Sequence, residues 1–189
     1  MDFARTKIPD VIICKPSINI DQRGYFCETF RKDLLGDFLG FEVNFCQDNE
    51  SKSTYGVLRG LHYQLPPFIQ SKLVRVVEGE VLDVAVDIRT GSAYFGKSVG
   101  VILSAKNKKQ LFVPKGFAHG FIVLSETAVV AYKCDNYYAP LFDRGIFYKD
   151  SALQIDWKLS HHEMNISEKD KRHPLLANEE AIDMGDIKY

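Results

Sequence analysis

Short runs rich in Val, Ile, Phe or Tyr, most bounded by Gly, Pro, Asn or Ser, recur along the chain and set what it can become. They fall at 11–14, 25–30, 43–46, 72–77, 81–88, 97–103, 110–113, 120–124 and 127–133. β-Branched and aromatic side chains suit a pleated surface, and the turn residues end each run. Many short strands with turns at roughly 8–12-residue spacing predict a barrel or a sandwich. In 81–88, Leu82, Val84, Val86 and Ile88 share one face while Asp83, Ala85 and Asp87 share the other, the pattern of a half-buried strand. Helical spacing is confined to Arg31–Leu39, with Leu34, Leu35 and Phe38 on one stripe, and Ser167 is a candidate N-cap for a second short helix. The simplest reading is one domain over 1–189, with a core at about 8–176 and an acidic, loosely packed tail at 177–189.

Composition removes several function classes. The 24 basic and 25 acidic side chains leave a formal net charge of -1, so nothing points to nucleic acid or an anionic membrane surface. No apolar run approaches the roughly 20 residues a membrane helix needs, and Met1 to Lys7 opens without an apolar signal core. A cytoplasmic protein is the expectation. Cys14, Cys27, Cys46 and Cys134 lack CxxC or paired spacing, which fits reduced structural thiols. Nucleophile-elbow, Walker A and dinucleotide-binding glycine motifs are all absent from the sequence.

Polar residues then cluster at a few places. Arg59-Gly60-Leu61-His62-Tyr63-Gln64 sets a histidine between a cation and an aromatic ring. Others are Arg23-Gly24-Tyr25-Phe26 with Glu28, Gln47-Asp48-Asn49, Lys72, the run from Val113 to Phe121 around His119, Tyr132 to Tyr138, and Ser167-Glu168-Lys169-Asp170. Each has a bland alternative: a satisfied structural histidine, a core tyrosine, a turn glycine, an ordinary capping sequence. A metal-binding barrel would want a His-x-His pair, which His62-Tyr63-Gln64 breaks. His161-His162 reads as surface, because neighbouring side chains on a strand diverge.

Taken in order, the clusters resemble the dTDP-4-dehydrorhamnose 3,5-epimerase family from about residue 8 to 176. The resemblance implies an all-β, cupin-like jelly-roll β-barrel with a few short peripheral helices, a homodimer, and neither metal nor cofactor. It implies epimerisation at C3 and C5 of a 4-keto-6-deoxyglucose carried on dTDP, on the route to dTDP-L-rhamnose. It makes His62 the base, Asp170 its partner, Lys72 the stabiliser of the enolate oxygen and Tyr132 the proton donor. Arg23, Arg59, His119 and Lys169 fall to the diphosphate, and Glu28, Gln47, Asp48 and Asn49 to the sugar and base. Tyr138 would stack on thymine with Phe26 nearby. Asp143 stands where the family often has Glu and binds with a shorter reach.

The chemistry asks for such groups. Protons on C3 and C5 are acidic only because the C4 ketone can take the charge, so a base, an oxyanion donor and an acid are all needed. Three other readings stay open: an epimerase acting at one carbon or on a related nucleotide-linked 4-keto sugar, a non-catalytic nucleotide-sugar-binding barrel, and a metal-dependent cupin.

Overall fold

The computed structural model describes residues 1–179 and 182–187. In chain order the first strands are β1 (Asp2–Arg5), β2 (Ile12–Lys15), β3 (Ile18–Asp21) and β4 (Gly24–Cys27), followed by helix α1 (Lys32–Leu39). Next come β5 (Gln47–Thr54), β6 (Val57–Gln64), β7 (Lys72–Glu78), β8 (Glu80–Asp87), β9 (Arg89–Thr90) and β10 (Ser98–Ser104). The rest are β11 (Gln110–Val113), β12 (Phe117–Val123), β13 (Thr127–Cys134), β14 (Asp143–Gly145), β15 (Asn165–Ile166) and β16 (Ile182–Asp183).

One sheet runs β1-β2-β11-β7-β13-β5, and the other runs β10-β8-β12-β6-β14 with β15 added parallel to β6. The sheets stack face to face: Val74, Val76, Leu111 and Val130 of the first share a buried cluster with Val81, Ala85, Phe121 and Val123 of the second. The outer face of the second sheet is covered by the C-terminal third, through Ile146, Tyr148, Leu153, Trp157 and Leu176. The outer face of the first is covered by Leu35 of α1 with Phe30, Phe38 and Phe41. This is the all-β jelly roll expected, with one α-helix and several short 3-10 turns among the described residues. No helix there is long and apolar enough to cross a membrane.

Four local expectations change. The 81–88 strand is buried on both faces, because Leu82, Val84 and Val86 meet the C-terminal third while Val81 and Ala85 meet the first sheet. Its aspartates are therefore interior: Asp83 pairs with His119 and Asp87 with Arg89. Residues 43–46 are not a strand, whereas the wholly polar 47–54 is one. The helix after Ser167 is only a 3-10 turn, Asp170–Arg172, whose Asp170 N–H donates to Ser167 Oγ at 3.1 Å. The described part of the tail is held, with Ile182 fully buried and β16 paired to β9.

Candidate active site

The site lies between the sheets, and its geometry starts at two glycines. Gly60 of β6 has φ +122, and a Cβ there would come 2.6 Å from Gly120 Cα of β12. Only glycine allows both that backbone and that approach. The pairing slips at this point, between His119 and Phe121 on β12. Arg59 and His62, three apart, would face opposite sides of a regular strand. Across the irregularity both line the same cavity.

That cavity is about 490 Å³ and is lined by Ser51, Arg59, His62, Lys72, His119, Tyr132 and Asp170, among others. A second chamber of about 320 Å³ shares His62, Lys72 and Tyr132 with it and adds Gln47, Asn49, Tyr138, Asp143 and Lys169. Together they offer the space a drug-sized polar ligand needs.

His62 Nε2 lies 3.0 Å from Asp170 Oδ1, and the Gly60 N–H donates to Asp170 Oδ2 at 3.1 Å. Burial alone would raise the Asp170 carboxyl. The imidazoles of His173 and His62 and the Gly60 N–H outweigh it and hold Asp170 well below the usual carboxylate range. An ionised carboxylate can only accept, so the proton between the two is assigned to His62 Nε2, which leaves the Nδ1 lone pair free.

Lys72 opens β7, has no hydrogen bond or ion pair among the described residues, and is lowered by burial, partly offset by Cys134, Asp143 and Asp83. An ammonium with no partner in a cavity is poised to donate to a ligand oxygen. Tyr132, on neighbouring β13, is raised by burial and by Cys134 and Asp143, with Arg59 opposing. Its phenol is therefore protonated at neutral pH.

Other expected residues divide. Arg59 Nε donates to Ser53 Oγ at 3.1 Å, and His119 is buried against Asp83 at 2.9 Å. Gln47 Nε2 donates to Asn49 Oδ1 at 3.0 Å, and Tyr138 N–H donates to Gln47 Oε1 at 3.0 Å. Asp143 accepts from Tyr138 Oη at 3.3 Å and from Lys169 Nζ at 2.5 Å, so its shorter side chain still makes contacts. Asp48 does not join them. It sits on the opposite face of β5, paired with Lys133 at 3.0 Å and lining a separate cavity. Arg23, Phe26 and Glu28 also stay apart: Arg23 pairs with Asp21 at 2.6 Å, Phe26 is 66% exposed on the β3–β4 hairpin, and Glu28 lies 3.6 Å from Arg31. None of the three lines either chamber.

The model of one family, described as dTDP-4-dehydrorhamnose 3,5-epimerase, matches residues 5–178. The chain belongs to that family. A dTDP-4-dehydrorhamnose 3,5-epimerase from Shigella flexneri is 53% identical over 161 residues, 85% of this chain and 89% of its own. The crystal structure of a dTDP-6-deoxy-D-glucose-3,5-epimerase from Legionella pneumophila Philadelphia 1, in complex with dTDP-4-keto-L-rhamnose, is 50% identical with a TM-score of 0.90, covering 94% of this chain and 93% of that one. A 3'-monoepimerase from Streptomyces bikiniensis, in complex with dTDP-quinovose, is 32% identical with a TM-score of 0.86, covering 92% and 87%.

Asp83, His173 and the Gly60–Gly120 contact leave little signal in the sequence. Asp83 reads as a solvent-facing residue in an alternating strand, and the first sheet, packed on the Val81 and Ala85 face of β8, reverses that. His173 follows the capping segment in a stretch with no pattern of its own, yet its Nε2 lies 3.5 Å from Asp170 Oδ1.

Proposed function

We propose that this chain performs the 3,5-epimerisation of dTDP-4-dehydro-6-deoxy-D-glucose to dTDP-4-dehydro-L-rhamnose, in the cytoplasm, with protein groups alone. The observation that carries this is the His62–Asp170 pair facing Lys72 and Tyr132 across one cavity. His62 Nδ1 takes the proton from the carbon next to the C4 ketone, and Asp170 stabilises the imidazolium formed. Lys72 donates to the C4 oxygen as it becomes an enolate, in a site where a fixed charge acts through little water. Tyr132 returns a proton from the other face. Repeating the sequence at the second carbon completes the double inversion.

Arg59, His119 and Lys169 supply positive charge for the diphosphate, with Tyr138 against the base and Gln47 and Asn49 as hydrogen-bonding groups. The chain acts as a homodimer in this reading. The β3–β4 hairpin presents Ile20, Tyr25 and Phe26 to solvent at 81%, 58% and 66%. Such an apolar ribbon favours a covering partner. A second copy is also what would bring Arg23, Phe26 and Glu28 to a ligand.

Incubation with the 4-keto substrate in D₂O tests the reaction: proton NMR should show deuterium entering at both C3 and C5. The similarity to a monoepimerase supports a second reading, inversion at one carbon, and deuterium at a single position would establish it instead.

A further inference from the structure

His173 is unused by the proposed reaction, yet it sits against the pair that carries it. Its ring lies flat on Gly145, where a Cβ would come within 2.3–2.5 Å of three ring atoms. It meets His62 edge to face, with ring centroids 5.5 Å apart at 79°. Its Nε2 is buried and lies 3.5 Å from Asp170 Oδ1, without a well-formed hydrogen bond among the described residues. A buried nitrogen whose one polar neighbour is a carboxylate at the limit of hydrogen-bond reach calls for a physical account.

We propose that His62 Nε2, Asp170 Oδ1 and His173 Nε2 form a binding site for a zinc-class divalent cation. The three residues bring their ligand atoms within 4.8 Å of one another. Zinc bonds of roughly 2.0–2.2 Å to imidazole nitrogen and carboxylate oxygen put tetrahedral ligand atoms about 3.3 Å apart. The two imidazole–carboxylate separations, 3.0 Å and 3.5 Å, bracket that value. Two imidazoles and one carboxylate are a donor set zinc favours. His62 and Asp170 line the larger chamber, so the fourth position opens on space for water or a ligand oxygen. The His-x-His pair of a metal barrel is absent, and the third ligand comes instead from the C-terminal segment that covers β6 and β14.

Occupancy changes His62 in a defined way. Zinc takes the Nε2 lone pair, so the one proton of the neutral ring moves from Nε2 to Nδ1. No proton leaves the ring, but the lone pair that would abstract the substrate proton is gone. The cation is then an inhibitor. This consequence rests on His62 acting as the base, whereas the binding itself does not.

Calorimetric titration of the metal-free protein with Zn²⁺ should give one cation per chain. His173→Phe keeps a flat ring on Gly145 and removes the ligand. It should weaken binding by at least the roughly 10–100-fold that loss of an outer-shell partner costs. His173→Ala serves if Phe does not fold. Zinc should stop wild-type turnover reversibly on chelation, and the His173 variant should keep turning over at the same zinc concentration. Absence of stoichiometric binding, or equal affinity in the variant, overturns the site. Stoichiometric binding that leaves turnover untouched keeps the site and removes His62 Nδ1 as the base.

Discussion

Two histidine–aspartate pairs stand side by side on the second sheet. His62 and His119 are directly opposed on β6 and β12, and their carboxylate distances are 3.0 Å and 2.9 Å. Their surroundings differ. The His62 side chain is 32% exposed and lines both chambers, while Asp170 is anchored by a backbone N–H. The His119 side chain is 7% exposed, Asp83 is 0% exposed, and Asp83 Oδ2 has no hydrogen-bond partner among the described residues. A base must present a lone pair to its substrate and tolerate gaining charge. The open pair suits that task, and the sealed one suits a fixed donor. Near-identical pair geometry is therefore a poor guide to role: both histidines line the larger chamber, and how much of each ring is exposed there decides.

The largest expected effect tests that difference directly. His62→Asn keeps a hydrogen-bonding partner for Asp170 but offers no base, and should lower kcat by roughly 10²–10⁴-fold with dTDP affinity retained. His119→Asn should act mainly on KM. Steady-state kinetics with both variants would break the comparison if His119→Asn lost as much kcat as His62→Asn.

A smaller effect belongs to Lys72, which lines the larger chamber with both histidines. Lys72→Met removes the unpartnered ammonium while leaving each histidine its aspartate. Kinetics should show kcat down by about 10²–10³-fold, the loss of one preorganised oxyanion donor. A variant that changes only KM would move Lys72 from the reaction to binding.

The sequence made parts of this legible for physical reasons. Strands 7, 8, 10 and 13 carry apolar residues at a clear period, and each lies close to its expected position. Strand β5 does not, because one face (Gln47, Asn49, Ser51) lines the polar site and the other (Asp48, Glu50, Lys52) meets solvent. No apolar stripe remains to read. Once β5 is known to be a strand, its period of two separates Asp48 from Gln47 and Asn49. The Asp83 misreading is the converse: a polar residue among apolar neighbours signals solvent only when a single face is covered. Arg23, Phe26 and Glu28 matched a family pattern, yet they lie on or just after an exposed hairpin and line neither chamber.

The smallest effect is one of stability, and it follows from Asp170. Its folded-state carboxyl lies below its unfolded value, which is near 3.9. Such a group contributes stability that is fully present above the unfolded value and is lost as pH falls toward the folded one. Asp170→Asn removes that dependence. The amide can still accept from Gly60, but its NH₂ now faces His62 Nε2 and favours the opposite tautomer. At neutral pH the variant should be less stable by about 1.5–3 kcal/mol, the usual worth of hydrogen bonds to a charged group. Denaturant melts repeated from pH 7 to pH 3 should show the gap narrowing once the pH passes below about 4. A gap constant over that range would mean that Asp170 is held by packing rather than by the charge it shares with His62, and the open pair would then lose its physical distinction from the sealed one.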